Sequence, residues 1–288
     1  MTTKKLDTVV EDIYQSIAPL GRGEAIEVSD KVIDKFGDSV KEALRDWLTP
    51  RGSRKPSLRM SNIGRPARQL WYDFNTERDL SPLPPPLLIK FLFGHLAEPL
   101  VLFFVELAGH TVTDIQKEVV INGVVGHMDC KIDGEVVDIK TASGFAFKKF
   151  KDGTLVDDDP FGYIVQLTGY EQAEGTSNGG FLTLNKEAGD LTLLQPGELD
   201  KPNISVKIKE LQKTIKDKNP PPLCYEPVPE GISGNFKLAR QCNYCSHKFE
   251  CHKDSNDGKG LRSFKYSKGV MHLTKVVRQP KVEEILNA

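Results

Sequence analysis

The alternation of apolar and polar positions divides the chain into helices, then a run of short strands, then helices and strands in turn. In "VSDKVIDKFGDSVKEALRDWL", Val32, Ile33, Phe36, Val40, Ala43, Leu44, Trp47 and Leu48 return at helical spacing, with Ser29 placed as an N-cap. A second helix is predicted over "ARQLWYDFN". "SPLPPP" reads as a stiff linker. It leads into residues 87–109, "LLIKFLFGHLAEPLVLFFVELAG". That stretch has the length of a membrane span, but Lys90, His95, Glu98 and Glu106 interrupt it, so the expectation is a buried helix, kinked at Pro99, with no membrane involved. Strand periodicity then takes over in "QKEVVI", "VVGHMDCKI" and "EVVDIKTA". "DDDPFGYIVQLTGYEQAEG" starts like a helix, with Asp159 as cap, Pro160 in the first turn, and Asp157 to Asp159 favouring the helix dipole. "GGFLTLN" and "LTLL" are further strands, and "KPNISVKIKELQKTIKDK" a polar surface helix. The proline-rich "NPPPLCYEPVPEGISGN" separates this part from a cysteine-rich tail.

That order predicts an α/β protein, a central mixed sheet flanked by helices. The boundaries read as a helical region over 1–56, a core over 57–219, and a linker with a cysteine-rich, basic module over 220–288. A doubly wound dinucleotide fold is not expected, because the "GRG" of Gly21 to Gly23 has no strand before it.

"GHMDCKIDGEVVDIKTAS", residues 126–143, sets the chemical question. Asp133-Gly134 is a strong two-residue hairpin signal. A turn there pairs Ile132 with Glu135 and, further along, Asp129 with Asp138 and His127 with Lys140. Asp138 and Lys140 then share one face, while Met128, Cys130, Val137 and Ile139 share an apolar one. Two carboxylates facing each other on a sheet repel by roughly 0.2–1 kcal/mol when solvated, and more when buried, unless one is protonated or a cation lies between them. A divalent ion with oxygen ligands removes the conflict, and an adjacent amine can offset charge building on a phosphate. Met128 and Cys130 turn the other way, so Cys130 is expected in the core.

Composition changes this picture little. Of 288 residues, 39% are hydrophobic and 27% charged, and the net charge of −1 carries no global signal for nucleic acid, although local basic patches remain open. No secretory leader is read at the start, and five cysteines, three of them crowded at 242–251, suit a reducing, cytoplasmic setting and a metal better than a disulfide framework.

The residues together resemble the PD-(D/E)XK nuclease superfamily. Asp129, with Asp138 and Lys140 following in "DIK", is similar to its D…DxK core, although Met128 stands where the family name has proline. "FGHLAE", placing Glu98 after Gly94, and "QLTGY", placing Gln166 and Tyr170 one helical turn apart, resemble motifs of its RecB-like exonuclease branch. The resemblance covers roughly residues 57–185 and implies a metal-dependent DNA exonuclease, in a phage or bacterial setting of DNA recombination, replication or host DNA degradation. It implies that Glu98, Asp129, Asp138 and the Ile139 carbonyl hold Mg2+ or Mn2+. Lys140 would orient or activate water and offset negative charge, and Gln166 and Tyr170 would position DNA and the lysine. His95 and His127 are read as local hydrogen-bonding groups. DNA is the implied partner, and a single-strand annealing or recombination protein a further one. A structure-specific or restriction-type endonuclease, and a non-catalytic DNA-binding recombination factor, are the alternatives.

Three stretches offer contacts to DNA. One carries Arg51, Arg54, Lys55, Arg59, Arg65 and Arg68 without an acid. "FAFKKFKDG" interleaves Phe145, Phe147 and Phe150 with Lys148, Lys149 and Lys151. The third is the basic tail "KGLRSFKYSKGVMHLTKVVR". Cys242, Cys245 and Cys251 have metal-ligand spacing and resemble the cysteine triplet of iron–sulfur exonucleases. The upstream cysteine of those relatives is missing here, since Pro66 and Ala67 stand in the corresponding segment. Cys224, His247 or His252 could complete the set, for a structural Zn2+ or a [4Fe-4S] cluster.

Overall fold

The period-two segments of the first half become the sheet expected of them. In the computed structural model, which describes residues 4–49, 55–77, 82–197, 199 and 201–285, the chain divides into two compact units. One is Met1–Gly64 with Arg78–Glu210, the other Arg65–Glu77 with Leu211–Ala288. Arg51 and Arg54 of the basic run and Ser81 of the proline linker lie outside the described residues.

The helices are α1 (Val9–Ile17), α2 (Asp30–Leu48), α3 (Ala67–Asn75), α4 (Pro85–Leu107), α5 (Gly144–Lys151), α6 (Tyr163–Glu174), α7 (Ile204–Thr214) and a short α8 (Lys248–Cys251). The strands of the first unit are β1 (Val112–Thr113), β2 (Glu118–Ile121), β3 (Val124–His127), β4 (Cys130–Ile132), β5 (Glu135–Ala142), β6 (Gly180–Asn185) and β7 (Leu191–Leu194). β1, β4, β5, β6 and β7 form one mixed sheet in the order β1-β4-β5-β6-β7, and β2 pairs with β3 apart from it. Only the β5–β6 step is parallel. A parallel step needs a long crossover, and α5 and α6 lie in it.

Both faces of this sheet are covered. On one, Cys130, Ile132, Val137, Ile139 and Leu182 join Val9 and Ile13 of α1 and Val101, Leu102 and Val105 of α4 in a single apolar cluster. Each fully buried aliphatic side chain there contributes about 1.5–3 kcal/mol. On the other face α5 and α6 pack on β5 and β6, and Phe150 meets Phe181 edge-on at 5.7 Å.

The Asp133-Gly134 turn forms as expected, both residues at positive φ (51° and 90°), with Ile132 opposite Glu135 and Cys130 opposite Val137. "VVGHMDCKI", however, is not one strand. It breaks at Met128 and Asp129, so that β3 pairs with β2 and His127 faces Glu118 rather than Lys140. The break is held from the side: Met128 N–H donates to the Lys117 carbonyl at 3.1 Å, and Gln116 N–H donates to the Asp129 carbonyl at 3.0 Å.

Other expectations shift in smaller ways. α2 starts after Ser29, but the Ser29 side chain makes no capping bond. α4 is buried only in its second half. Ile89, Phe91 and Phe93 in the first half are 49%, 47% and 56% exposed, so the expected all-round burial fails there. By length and composition alone it is the one helix among the described residues that could cross a membrane, yet it packs along α2, where Phe36 meets Phe103 at 5.3 Å. α6 begins three residues later than expected, with Gly162 at the cap position. Asp159 still serves its first turn, accepting N–H bonds from Tyr163 (3.0 Å) and Ile164 (2.9 Å). Gly162 adopts φ +74°, and a Cβ there would stand 2.2 Å from Gly64 Cα, so both glycines are needed for this crossing.

The second unit holds α3 and an antiparallel sheet of β8 (Val228–Pro229), β9 (Phe236–Lys237), β10 (Arg262–Tyr266), β11 (Gly269–Lys275) and β12 (Glu284–Ile285), ordered β12-β10-β11-β9-β8. Leu238, Leu261, Phe264 and Leu273 are buried in it.

Candidate active site

β5 presents Asp138 and Lys140 on the face opposite its apolar side chains, as alternation requires. This polar face is not open. Asp138 is 1% exposed and Lys140 20% by side chain. Their charges meet in an ion pair, but neither Asp138 oxygen accepts a hydrogen bond of proper geometry. Buried carboxylates are normally hydrogen-bonded, and an orphaned one signals a function or a missing ion.

The strand break explains where Asp129 goes. Because the β4–β5 ladder ends at Cys130, the N–H of Ile139 has no backbone partner across the hairpin. It donates instead to Asp129 Oδ2 at 2.7 Å. The acid therefore reaches β5 through its side chain, not as a facing ladder residue. Glu98, on α4, accepts a 2.7 Å bond from the Gln116 amide. Gln116 thus holds two acids, Glu98 by its side chain and Asp129 by its backbone, from a residue with φ +52°. On α6, Gln166 donates to the Tyr170 hydroxyl at 3.2 Å. Tyr170 is 2% exposed and packs against Gly126, where a Cβ would lie 2.8 Å from its ring. The far end of α6 is fixed by Glu171, which receives Lys201 Nζ (2.7 Å) and Gly179 N–H (2.8 Å), and by Glu174, which receives Lys117 and Lys131.

These groups share one electrostatic field. Burial raises the Asp129 carboxyl well above its ordinary value, and the charges of Asp138 and Glu98 push it the same way. Burial also raises Glu98, against the pull of the Gln116 amide and with a push from Asp138. Burial opposes the charge on Lys140, but Asp138 and Asp129 outweigh it and raise the amine, so it holds its proton. Burial pushes the Tyr170 hydroxyl up to about 12. The pattern is an excess of acid over one fixed cation.

No family model matches the sequence, and no curated protein matches it. Solved structures do. They include the crystal structure of SSO0001, at 16% identity over 73% of this chain and 93% of that one, with a TM-score of 0.38. An alkaline exonuclease from Laribacter hongkongensis, LHK-Exo, is similar at 16% identity over 63% of this chain and 93% of that one, TM-score 0.34. LHK-Exo in complex with dAMP is similar at 14% identity over the same shares, TM-score 0.32. At these scores the likeness carries no functional argument, which rests on the site.

Does a divalent cation fit? The donor chemistry suits one: hard carboxylate oxygens in excess, two of them buried without a hydrogen bond. The side chains as placed do not converge. Among the described residues no group of three or more His, Cys, Asp or Glu is arranged to hold a metal ion. The reason is visible in the contacts, since each acid is turned to a donor of the protein: Glu98 to Gln116, Asp129 to Ile139 and Asp138 to Lys140.

The remaining sequence candidates fall elsewhere. Of the interleaved aromatics, Phe147 and Phe150 are core and Phe145 is exposed, because the segment is a helix with one buried edge. Lys149 pairs with Asp158, and Lys148 is exposed. His95 is exposed, and His127 lies 3.5 Å from Glu118. In the second unit, Arg68 directs its guanidinium to Cys251 Sγ (3.0 Å), the Pro221 carbonyl and the Tyr72 hydroxyl (3.4 Å). Arg65 stands half-buried before α3. All five cysteines are free, and Cys130 is fully buried in the core. Burial, with smaller pushes from Cys245, Cys251 and Cys224, raises Cys242 to about 11, so these thiols lie within electrostatic reach of Cys242. The His247 Nε2 lies 2.7 Å from Asp73, while the backbone of His247 hydrogen-bonds to Cys245.

Sequence reasoning missed Gln116 and Tyr163. The Lys140 ammonium lies 4.9 Å from the Tyr163 ring centroid, a cation–π contact. Tyr163 could have been found from its position one helical turn before Gln166. Gln116 left no comparable signal, since its role depends on the strand break.

Proposed function

We propose that this chain is a metal-dependent deoxyribonuclease of the RecB-like PD-(D/E)XK type, acting as an exonuclease on DNA. The observation that carries the reading is Asp138, a buried carboxylate without a hydrogen bond, beside a protonated lysine and in the field of Asp129 and Glu98. A structural ion pair alone would be better served by satisfied oxygens.

Glu98, Asp129, Asp138 and the Ile139 carbonyl would hold Mg2+ or Mn2+, which when bound supplies a Lewis acid and lowers the pKa of a coordinated water. The chain's own residues do the rest. Lys140 keeps its proton and stabilises negative charge growing on the phosphate. Tyr170 keeps its hydroxyl proton and, with Gln166, presents a polar edge next to it. Gln116 fixes the two flanking acids. Lys148 would contact the strand, and in the second unit Cys224, Cys242, Cys245 and Cys251 would hold a structural Zn2+ or [4Fe-4S] cluster, checked by elemental analysis and visible absorbance.

End-labelled linear DNA with Mg2+ tests the activity. Degradation from the ends that stops with EDTA and spares closed circular DNA supports the exonuclease. Cutting of the circle would make it an endonuclease, and tight binding without cleavage in Mn2+ would make it a binding factor.

A further inference from the structure

We infer that Phe161 is a stacking surface for an unpaired nucleobase of the strand being cleaved, and that Tyr163 connects this surface to Lys140; the inference rests on the nuclease reading. Phe161 is 54% exposed, and its ring stacks on Tyr163 with centroids 5.5 Å apart and 26° between the planes. Tyr163 in turn lies under the Lys140 ammonium. It is backed by Phe150 at 6.3 Å and Phe181 at 6.4 Å. The rings therefore run in series from the buried Phe181 and Phe150, through half-buried Tyr163, to the open Phe161.

The open ring is held in place by the backbone. Gly162 lies against the backbone of Gly64, and Asp159 ties down the N–H groups of Tyr163 and Ile164. Nearby acids are partly occupied: Asp158 by Lys149 and Asp159 by those amides. Lys148 is exposed on α5, which precedes this turn. A nucleotide whose phosphate meets Lys140 thus has a flat apolar surface within reach for its base. Aromatic stacking accepts any base but needs an unpaired one. The site is accordingly specific for frayed or single-stranded ends and indifferent to sequence.

The test uses an oligonucleotide with 2-aminopurine as its terminal base, bound to the full chain in EDTA. Stacking quenches the probe. Wild type is expected to quench it, Phe161→Ala to lose the quench and bind about ten-fold more weakly, and Phe161→Trp to retain both. Equal quenching by wild type and Phe161→Ala, or none by wild type, overturns the inference. Matched thermal melting of the variants shows that folding is not the cause. Quenching without hydrolysis in Mg2+ would keep the stack and sink the nuclease reading. Hydrolysis without quenching would do the reverse.

Discussion

The two faces of β5 use the same strand for opposite purposes. Val137 and Ile139 point into the apolar cluster closed by α1 and α4. Asp138 and Lys140 point under α6, largely out of water, where their charges are met by each other and by more acid. One face lowers the free energy of the fold, and the other holds desolvated charge at its expense. Active sites are where proteins accept such local conflict. Each face can be broken separately.

The largest effect is expected on the polar face. Asp138→Ala and Lys140→Ala should each lower the rate of DNA hydrolysis by at least about 10^3-fold, roughly 4 kcal/mol of barrier, with circular dichroism unchanged. In the apolar cluster that β5 lines, Leu182→Ala should cost about 2–5 kcal/mol in urea unfolding while the folded fraction hydrolyses DNA at the normal rate. Lost activity at full stability in that variant would blur the division between faces.

At the hairpin's turn, fully buried His110 has Asp133 at 2.6 Å from Nδ1 and Asp12 at 3.0 Å from Nε2. His110→Ala would take one partner from each of two acids, Asp12 keeping Lys4 and Thr8 and Asp133 keeping the Thr111 N–H, and should cost about 1–3 kcal/mol, read by thermal melting.

The smallest effect has a pH signature. An acid whose pKa is raised on folding keeps its proton in the native state after the unfolded chain has lost it. Stability then falls as pH rises from the ordinary aspartate value to the raised one. Asp129 is such a group. In EDTA, Asp129→Asn should therefore melt higher than wild type at pH 8, and the gain should shrink toward pH 4.

Where chemistry and periodicity agreed, the sequence was readable. "EVVDIKTA" is β5 to the residue, and the Asp-Gly turn set its register, so Asp138 and Lys140 came out on one face with Cys130 and Ile139 on the other. The break at Met128 and Asp129 was hidden because neither residue is Gly or Pro, and the nearby Gly126 lies inside β3. It is made by bonds from Gln116 and Lys117, distant in pattern though near in sequence. α5 was obscured by its interleaved lysines, although Phe147 and Phe150 stand at helical spacing. The half-exposure of α4 was illegible for a different reason, since an all-round apolar helix gives no indication of which half the core will take.

The central proposal is that the acids around Lys140, each turned to a donor of the protein in this structure, take up a divalent cation. Calorimetric titration of Mn2+ into the protein tests it most directly. The account predicts saturable binding that Asp138→Asn and Asp129→Asn each abolish while the cysteine variants Cys242→Ser and Cys245→Ser leave it in place. Absence of binding to wild type, or binding unchanged in both aspartate variants, would contradict it.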